Sequence, residues 1–251
     1  MSKTWLVTPA FCKSALLHDC LAHIHKTGIP KDVEHIVIDG HYPVNKSANR
    51  KEIKLYADAF GCRYVDSGKD LGLHEGINNA ARVCGIGPED IVVGCDPDNR
   101  PSPNFVTDLD AVMRADPTIA VLGATFWVIE EPRIQNIMTE TVIAGRRVWN
   151  HPGIEMWTAC AFNWSFVTRA GGLSQTHALY GGLESAMSPA MRSQGMRLAY
   201  LADTQADSAP VDTLSPLLFD PEYRSWKDAH IAGFKGGLEQ WLREFKPERL
   251  G

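Results

Sequence analysis

Two aspartates separated by a proline, Asp96-Pro97-Asp98, follow directly on the apolar run Ile91-Val92-Val93-Gly94-Cys95. A buried strand that runs straight into a tight turn would bring both carboxylates to one hard cation. Mn2+ or Mg2+ held there could bridge the two phosphates of a nucleoside diphosphate and offset the charge on it as it departs. The plain alternative is a solvated turn in which Asp98 caps a helix beginning after Pro101. Three further polar residues, Thr8, Asp39 and Asp66, follow or end apolar runs in the same way.

The elements that must position these groups alternate in type along the first half of the chain. Trp5-Leu6-Val7-Thr8 reads as a short strand ended by Pro9. Residues 14–27 then carry Leu16, Leu17, Leu21 and Ile24 at helical spacing, stopped by Gly28 and Pro30. A second strand, His35-Ile36-Val37-Ile38, closes at Asp39-Gly40, and Ser47 can cap a helix carrying Ile53, Leu55, Ala59 and Phe60. Strand 62–65, a helix through Ile77 and Ala81, strand 91–95 and strand 119–122 continue the pattern. Strands alternating with helices imply right-handed crossovers and a mostly parallel sheet, with ligands beyond the carboxyl ends of its strands. After residue 125 the alternation weakens. A helix including Leu183 to Arg192, a strand Leu198–Leu201, a loop from Ala202 to Pro216 and a C-terminal amphipathic helix are expected there.

The order and content of these motifs resemble the GT-A-fold glycosyltransferases of the family 2 type. The resemblance rests on Val7-Thr8-Pro9-Ala10-Phe11, on Val37-Ile38-Asp39-Gly40, on Asp70-Leu71-Gly72-Leu73-His74-Glu75-Gly76-Ile77-Asn78, and on Asp96-Pro97-Asp98. It covers residues 4–125 well and the remainder loosely. Asp70 and Gly76 stand where asparagine and alanine are usual in the third motif, while Gly72 and Asn78 are retained. The resemblance implies an α/β fold, a GT-A-type Rossmann-like mixed, mostly parallel sheet flanked by helices. It also implies one domain over 1–251, with a nucleotide-sugar half at 4–125 and an acceptor-binding and catalytic half at 126–251. Thr8, Pro9, Asp39, Gly72, Asn78 and Asp96 would contact the nucleotide-sugar donor, Asp39 reading the base. Asp96 and Asp98 would hold Mn2+ or Mg2+.

The family's catalytic base falls near Glu184, in Tyr180-Gly181-Gly182-Leu183-Glu184, although Ser185 replaces the second acid of that motif. The preceding Gly171-Gly172-Leu173-Ser174 resembles a turn of the same family. A third metal ligand, often histidine in the family, has no histidine between Gln205 and Pro216 to supply it; Asp203, Asp207 and Asp212 are available, and Asp207 is favoured by position. The expected activity is transfer of a sugar, from a UDP-sugar, to an acceptor hydroxyl with inversion. A saccharide is the favoured acceptor and a modified nucleic-acid base a possible one. A nucleotidyltransferase would want a glycine-rich loop where Pro9-Ala10-Phe11-Cys12-Lys13 stands. A non-catalytic nucleotide- or carbohydrate-binding protein is the third reading; the acid pair argues against it and the broken base motif for it.

Composition sets outer bounds on these readings. With 44% hydrophobic and 22% charged residues in 251, the chain has enough apolar surface to fold. A net charge of −5 supplies no global field for nucleic acid or anionic membrane. No apolar run approaches the ~20 residues of a membrane span, so no integral membrane segment and a cytoplasmic location are expected. The six cysteines form no C-x-x-C pair and read as reduced, buried thiols. His18, His23 and His25 crowd one segment, but their spacing does not match a helical zinc pair. Trp149, Trp157 and Trp164 read as core residues before sugar-stacking ones, and Arg146-Arg147 as a surface pair before a phosphate contact.

Overall fold

The computed structural model describes residues 2–10, 14–40, 47–69, 71–125, 139–150, 159–173 and 187–208, together with 221 and 225. Strands and helices alternate through β1 (Thr4–Ala10), α1 (Ser14–Thr27), β2 (Glu34–Asp39), α2 (Ser47–Ala59), β3 (Arg63–Asp66), α3 (Gly72–Cys84) and β4 (Ile91–Cys95). Then come β5 (Asn99–Pro101), α4 (Phe105–Ala115), β6 (Ile119–Thr125), β7 (Thr139–Ile143), β8 (Arg146–Asn150) and β9 (Ala159–Asn163). Helices α5 (Trp164–Arg169) and α6 (Ser188–Ser193) precede β10 (Arg197–Ser208).

The strands lie in the order β3-β2-β1-β4-β9-β6-β10-β8-β7, with β5 attached to β10. β3, β2, β1 and β4 are mutually parallel, as is the β6–β10 pair. β9 lies antiparallel between β4 and β6. The sheet is therefore the mostly parallel one that the alternation implied, and the mixed, helix-flanked α/β sheet that the resemblance implied. Its faces divide by parity, since successive side chains of a strand point to opposite sides. Trp5 and Val7 join Ile36, Ile38 and Val92 in a core completed by Ile77 and Ala81 of α3 and Phe166 of α5. Leu6, Val93 and Leu122 pack on the other face with Cys20 and Ile24 of α1 and Leu109 and Val112 of α4. Val37 meets Leu17, Leu21, Ile53 and Ala57 of α1 and α2 on that same side.

Two expectations are corrected. Leu55 is 63% exposed, because two residues from the buried Ile53 is more than half a helical turn away. The loop expected from Ala202 is strand as far as Ser208: β10 shifts register between Leu201 and Gln205, leaves β6, and pairs with β5. Thr204 and Ala206 are buried while Asp203 and Gln205 are exposed, so the period-two alternation is real. It is carried by a hydroxyl and a methyl rather than by large apolar side chains. The expected helix from Leu183 is described only as α6, and the C-terminal amphipathic helix lies outside the described residues. Among the described residues no helix is long and apolar enough to cross a membrane.

Candidate active site

The strand order reverses between β1 and β4: β2 and β3 lie to one side of β1, and β4 lies to the other. In parallel sheets, such a reversal opens a crevice beyond the carboxyl ends of the strands. Asp96 and Asp98 leave β4 at that end, both half-buried, with Pro97 buried between them. The Asn99 N–H donates to the Asp96 carbonyl at 3.1 Å and closes the turn. The same carbonyl accepts from the thiols of Cys20 and Cys95, each at 3.7 Å. Asp98 does not cap the next helix, since α4 begins at Phe105 with Asn104 in the cap position.

β5 holds the exit of this turn, and α1 holds β5. The Arg100 guanidinium donates to both carboxylate oxygens of Asp19 at 2.7 Å. His23 Nε2 lies 2.8 Å from the Pro101 carbonyl. On its other edge β5 pairs with β10, placing Asp207 opposite Arg100 in the register. The backbone of Asp207 thus runs beside the strand that follows the acid pair; its side chain is outside the described residues. The donor set fits a divalent cation, because carboxylate oxygens suit magnesium or manganese. The pair's negative charge is felt in the core. The buried Cys95 thiol is held well above its ordinary pKa by its hydrogen bond with Cys20 and by burial, then by the charges of Cys20, Asp96 and Asp98.

Asp39 ends β2 with no solvent exposure. The Tyr64 hydroxyl donates to its Oδ2 at 2.7 Å, and Arg50 Nε donates to the same oxygen at 3.1 Å. Arg50 also reaches Asp66 Oδ2 at 3.0 Å, and Asp66 is the register partner of Asp39 on β3. Burial, then the hydrogen bond to and charge of Asp39, push the Tyr64 phenol above its usual pKa, so it stays a donor. Only β1 separates β2 from β4, which sets Asp39 and Asp96 on strands about 10 Å apart, two strand spacings. Arg50 and Tyr64 were not legible as partners of Asp39. Neither belongs to a motif, and only the β2–β3 register and the packing of α2 bring them there.

The remaining expected donor-site residues divide. Thr8 and Pro9 are buried within β1, and the Thr8 hydroxyl lies 2.9 Å from His35 Nε2, inside the core. Gly72 is buried at the first position of α3 with φ +70°, a conformation costly for any residue with a Cβ. Asn78 was expected to face the donor, but its amide is engaged elsewhere. Its Oδ1 accepts from the Leu173 N–H at 2.9 Å, and its Nδ2 donates to the Leu173 carbonyl at 2.9 Å and to Glu75 at 3.1 Å. It is a clamp on the Gly171-Gly172-Leu173 turn. Gly172 has φ +109°, and a Cβ there would lie 3.1 Å from the Asn78 amide nitrogen. Glu184 lies outside the described residues.

Arg146 pairs with Asp108 at 2.8 Å, and Arg147 with Glu140 at 2.8 Å and Asp203 at 2.9 Å, which are surface ion pairs. Trp164 is buried, and the half-buried Trp149 donates its indole N–H to Glu140 at 2.8 Å. Trp157 is outside the described residues.

The family model of glycosyl transferase family 2 matches residues 5–170, from β1 to the end of α5. The chain belongs to that family. Solved structures share the fold of this family 2 chain at low identity. A mannosyltransferase from Pyrobaculum calidifontis, in complex with GDP-Man and Mn2+, superposes with TM-score 0.63 at 16% identity, over 84% of this chain and 58% of its own. TarS from S. aureus gives 0.57 at 14% identity, over 82% and 60%. Glucosyl-3-phosphoglycerate synthase from Mycobacterium tuberculosis, with Mn2+, UDP and glucosyl-3-phosphoglycerate, gives 0.53 at 18% identity, over 86% and 76%. The chain therefore spans 58–60% of the length of the first two. No curated protein matches the sequence significantly.

Proposed function

We propose that this family 2 chain transfers a sugar from a nucleotide-sugar donor, a UDP-sugar, to an acceptor hydroxyl with inversion. The observation that carries the reading is the pairing of a fully buried Asp39 with the acid pair Asp96 and Asp98, on strands flanking the reversal at β1. That arrangement supports a nucleoside diphosphate laid across the carboxyl ends, base toward β2 and phosphates toward β4. Asp39, held in orientation by Tyr64 and Arg50, would accept a hydrogen bond from a base N–H. Asp96 and Asp98, with Asp207 brought alongside by β10, would hold Mn2+ or Mg2+. When bound, such an ion supplies Lewis-acid stabilisation of the diphosphate's developing charge.

The chain's own part in the chemistry is to fix these groups before the donor arrives. α1 pins β5 through Asp19 and His23, so the acid pair keeps its place with little reorganisation. The Asn78 clamp on Leu173 fixes the point from which the segment carrying Glu184 departs. Glu184 would take the proton from the acceptor hydroxyl as that oxygen attacks the anomeric carbon. The half of the chain at 126–251 would choose the acceptor, with a saccharide favoured.

The reading is tested by incubating the protein with a panel of nucleotide-sugars and manganese, and measuring release of nucleoside diphosphate. Slow, metal-dependent hydrolysis of one donor is expected, reduced on the order of a hundredfold or more by Asp98→Ala. Absence of turnover and of nucleotide binding, with Asp98→Ala indistinguishable from the parent, would overturn it.

A further inference from the structure

The opposite end of the sheet holds a second cluster that the proposed transfer does not use. His25 lies near the end of α1, His35 is the second residue of β2, and Cys62 immediately precedes β3. His25 Nε2 is 3.2 Å from His35 Nδ1 and 3.6 Å from Cys62 Sγ, and one donor atom from each residue lies within 4.8 Å of the others. His35 is separated along β2 from Asp39 by roughly 13 Å of strand, so this cluster and the acid pair belong to different ends.

We propose that His25, His35 and Cys62 bind a transition-metal ion of zinc type, with water completing its coordination.

Three observations carry this. The first is geometric. Tetrahedral zinc, with Zn–N of about 2.0–2.1 Å and Zn–S of about 2.3 Å, requires N···N edges near 3.3 Å and N···S edges near 3.6 Å. Two of the three edges already have those lengths. The third, from His35 to Cys62, lies within 4.8 Å and closes by a small rotation of the Cys62 side chain, just ahead of β3.

The second is the support behind His35. Metal-bound histidines donate their other ring N–H to a neighbour, which fixes the tautomer. His35 Nε2 lies 2.9 Å from the hydroxyl of Thr8, which is wholly buried. With Nε2–H donating there, the Nδ1 lone pair is directed at His25 and Cys62. The fold has thus placed a polar residue in the buried middle of β1 with its hydroxyl against this ring. His25 and His35 also stack, with ring centroids 5.4 Å apart and planes 16° from parallel, which holds both rings in place.

The third is access. A cavity of about 480 Å³ opens on the two histidines and reaches Gly61, the neighbour of Cys62, with Ile29, Lys31 and Glu34 also in its lining. It provides an entry path and room for water at the fourth position. Two imidazoles and one thiolate select a borderline or soft ion such as zinc, whereas the oxygen donors at Asp96 and Asp98 select a hard one. The two sites would therefore sort different metals. Binding exchanges the Cys62 S–H for an S–metal bond and releases that proton to water; no electron is transferred.

The test uses the full chain, treated with chelator and then titrated with Co2+ in the presence of excess Mg2+. A sulfur-to-cobalt charge-transfer band with the intense visible absorption of tetrahedral Co2+ is expected, at one ion per chain and displaced by Zn2+. Cys62→Ser abolishes the band, and Thr8→Val weakens Zn2+ affinity about 10–100-fold through loss of the orienting partner. His25→Gln, at a half-buried position that should leave folding intact, also weakens binding by at least that factor. Absence of a thiolate band in the folded parent would overturn the proposal. So would a band that survives in both Cys62→Ser and His25→Gln. Neither outcome depends on donor hydrolysis, so this site and the proposed transferase activity stand or fall separately.

Discussion

Replacing Asn78 by alanine would test whether the clamp on Leu173 organises the half of the site that follows it. The substitution removes three hydrogen bonds, two of them to the backbone of a residue that is 2% exposed. The Leu173 N–H and C=O are then left without their partner, and each unsatisfied buried group costs about 1–3 kcal/mol. Partial rescue by a water in the vacated space lowers the sum, giving about 3 kcal/mol in all. In a chain of this size that corresponds to a fall in Tm of about 6–12 °C. Thermal and urea unfolding measure it directly, with Asn79→Ala as a control expected within about 0.5 kcal/mol of the parent. Asn78→Asp is the sharper comparison. It keeps an acceptor for the Leu173 N–H but sets a second oxygen against the Leu173 carbonyl and a charge beside Glu75, so it should lose at least as much as alanine. Under the proposed function, kcat for donor hydrolysis falls in both variants at temperatures where they remain folded. Full stability in Asn78→Ala, or recovery in Asn78→Asp, would refute the clamp.

Two further effects follow from other contacts. Arg100→Ala removes the two-pronged bond to Asp19 at a partly exposed site, so it should cost only about 1 kcal/mol of stability; the Mn2+ concentration needed for donor hydrolysis should nonetheless rise several-fold, because β5 no longer fixes the acid pair. Burial pulls the pKa of His35 down from 6.5 to about 3, with the charge of His25 adding to the effect. The unfolded chain therefore binds the proton more tightly, and stability is full above about pH 6.5 and lost as pH falls toward 3. In chelator-treated protein this site alone should remove about 2 kcal/mol between pH 7.5 and pH 5; an unfolding free energy that is flat over that range would contradict it.

What could be read from the sequence was whatever is written in neighbouring residues. The parallel strands announced themselves because β1, β2 and β4 are buried on both faces and so appear as unbroken apolar runs. Asp39 and Asp96 were legible for the same reason: a carboxylate that terminates such a run marks the carboxyl end of its strand, where ligands of parallel sheets lie. The features that went unread all depend on residues far apart in the chain. β5 is three residues long and ends in a proline, a poor strand by any propensity; it exists because β10 pairs with one edge of it and α1 bonds its arginine and its last carbonyl. Asn78 sits in a motif that suggested a ligand contact, yet its partner is 95 residues away in sequence.

The histidines make the same point most sharply. Spacing within α1 gave no reason to connect His18, His23 and His25 to a metal, and the structure indeed sends them to three destinations. His18 packs edge-on against Tyr56 and Phe60, His23 faces the Pro101 carbonyl, and His25 meets His35 and Cys62. A helical spacing rule can recognise only ligands that share a helix. Here the cluster draws one residue each from α1, β2 and the approach to β3, and what joins them is the parallel register that sets the amino ends of adjacent strands side by side. The same register, at the other end of the same strands, sets Asp39 beside Asp66. One sheet geometry thus creates two polar clusters of different chemistry, imidazole and thiol at its amino ends and carboxylates at its carboxyl ends. Only the second leaves a mark in local sequence, because there the polar residue interrupts an apolar run instead of beginning one.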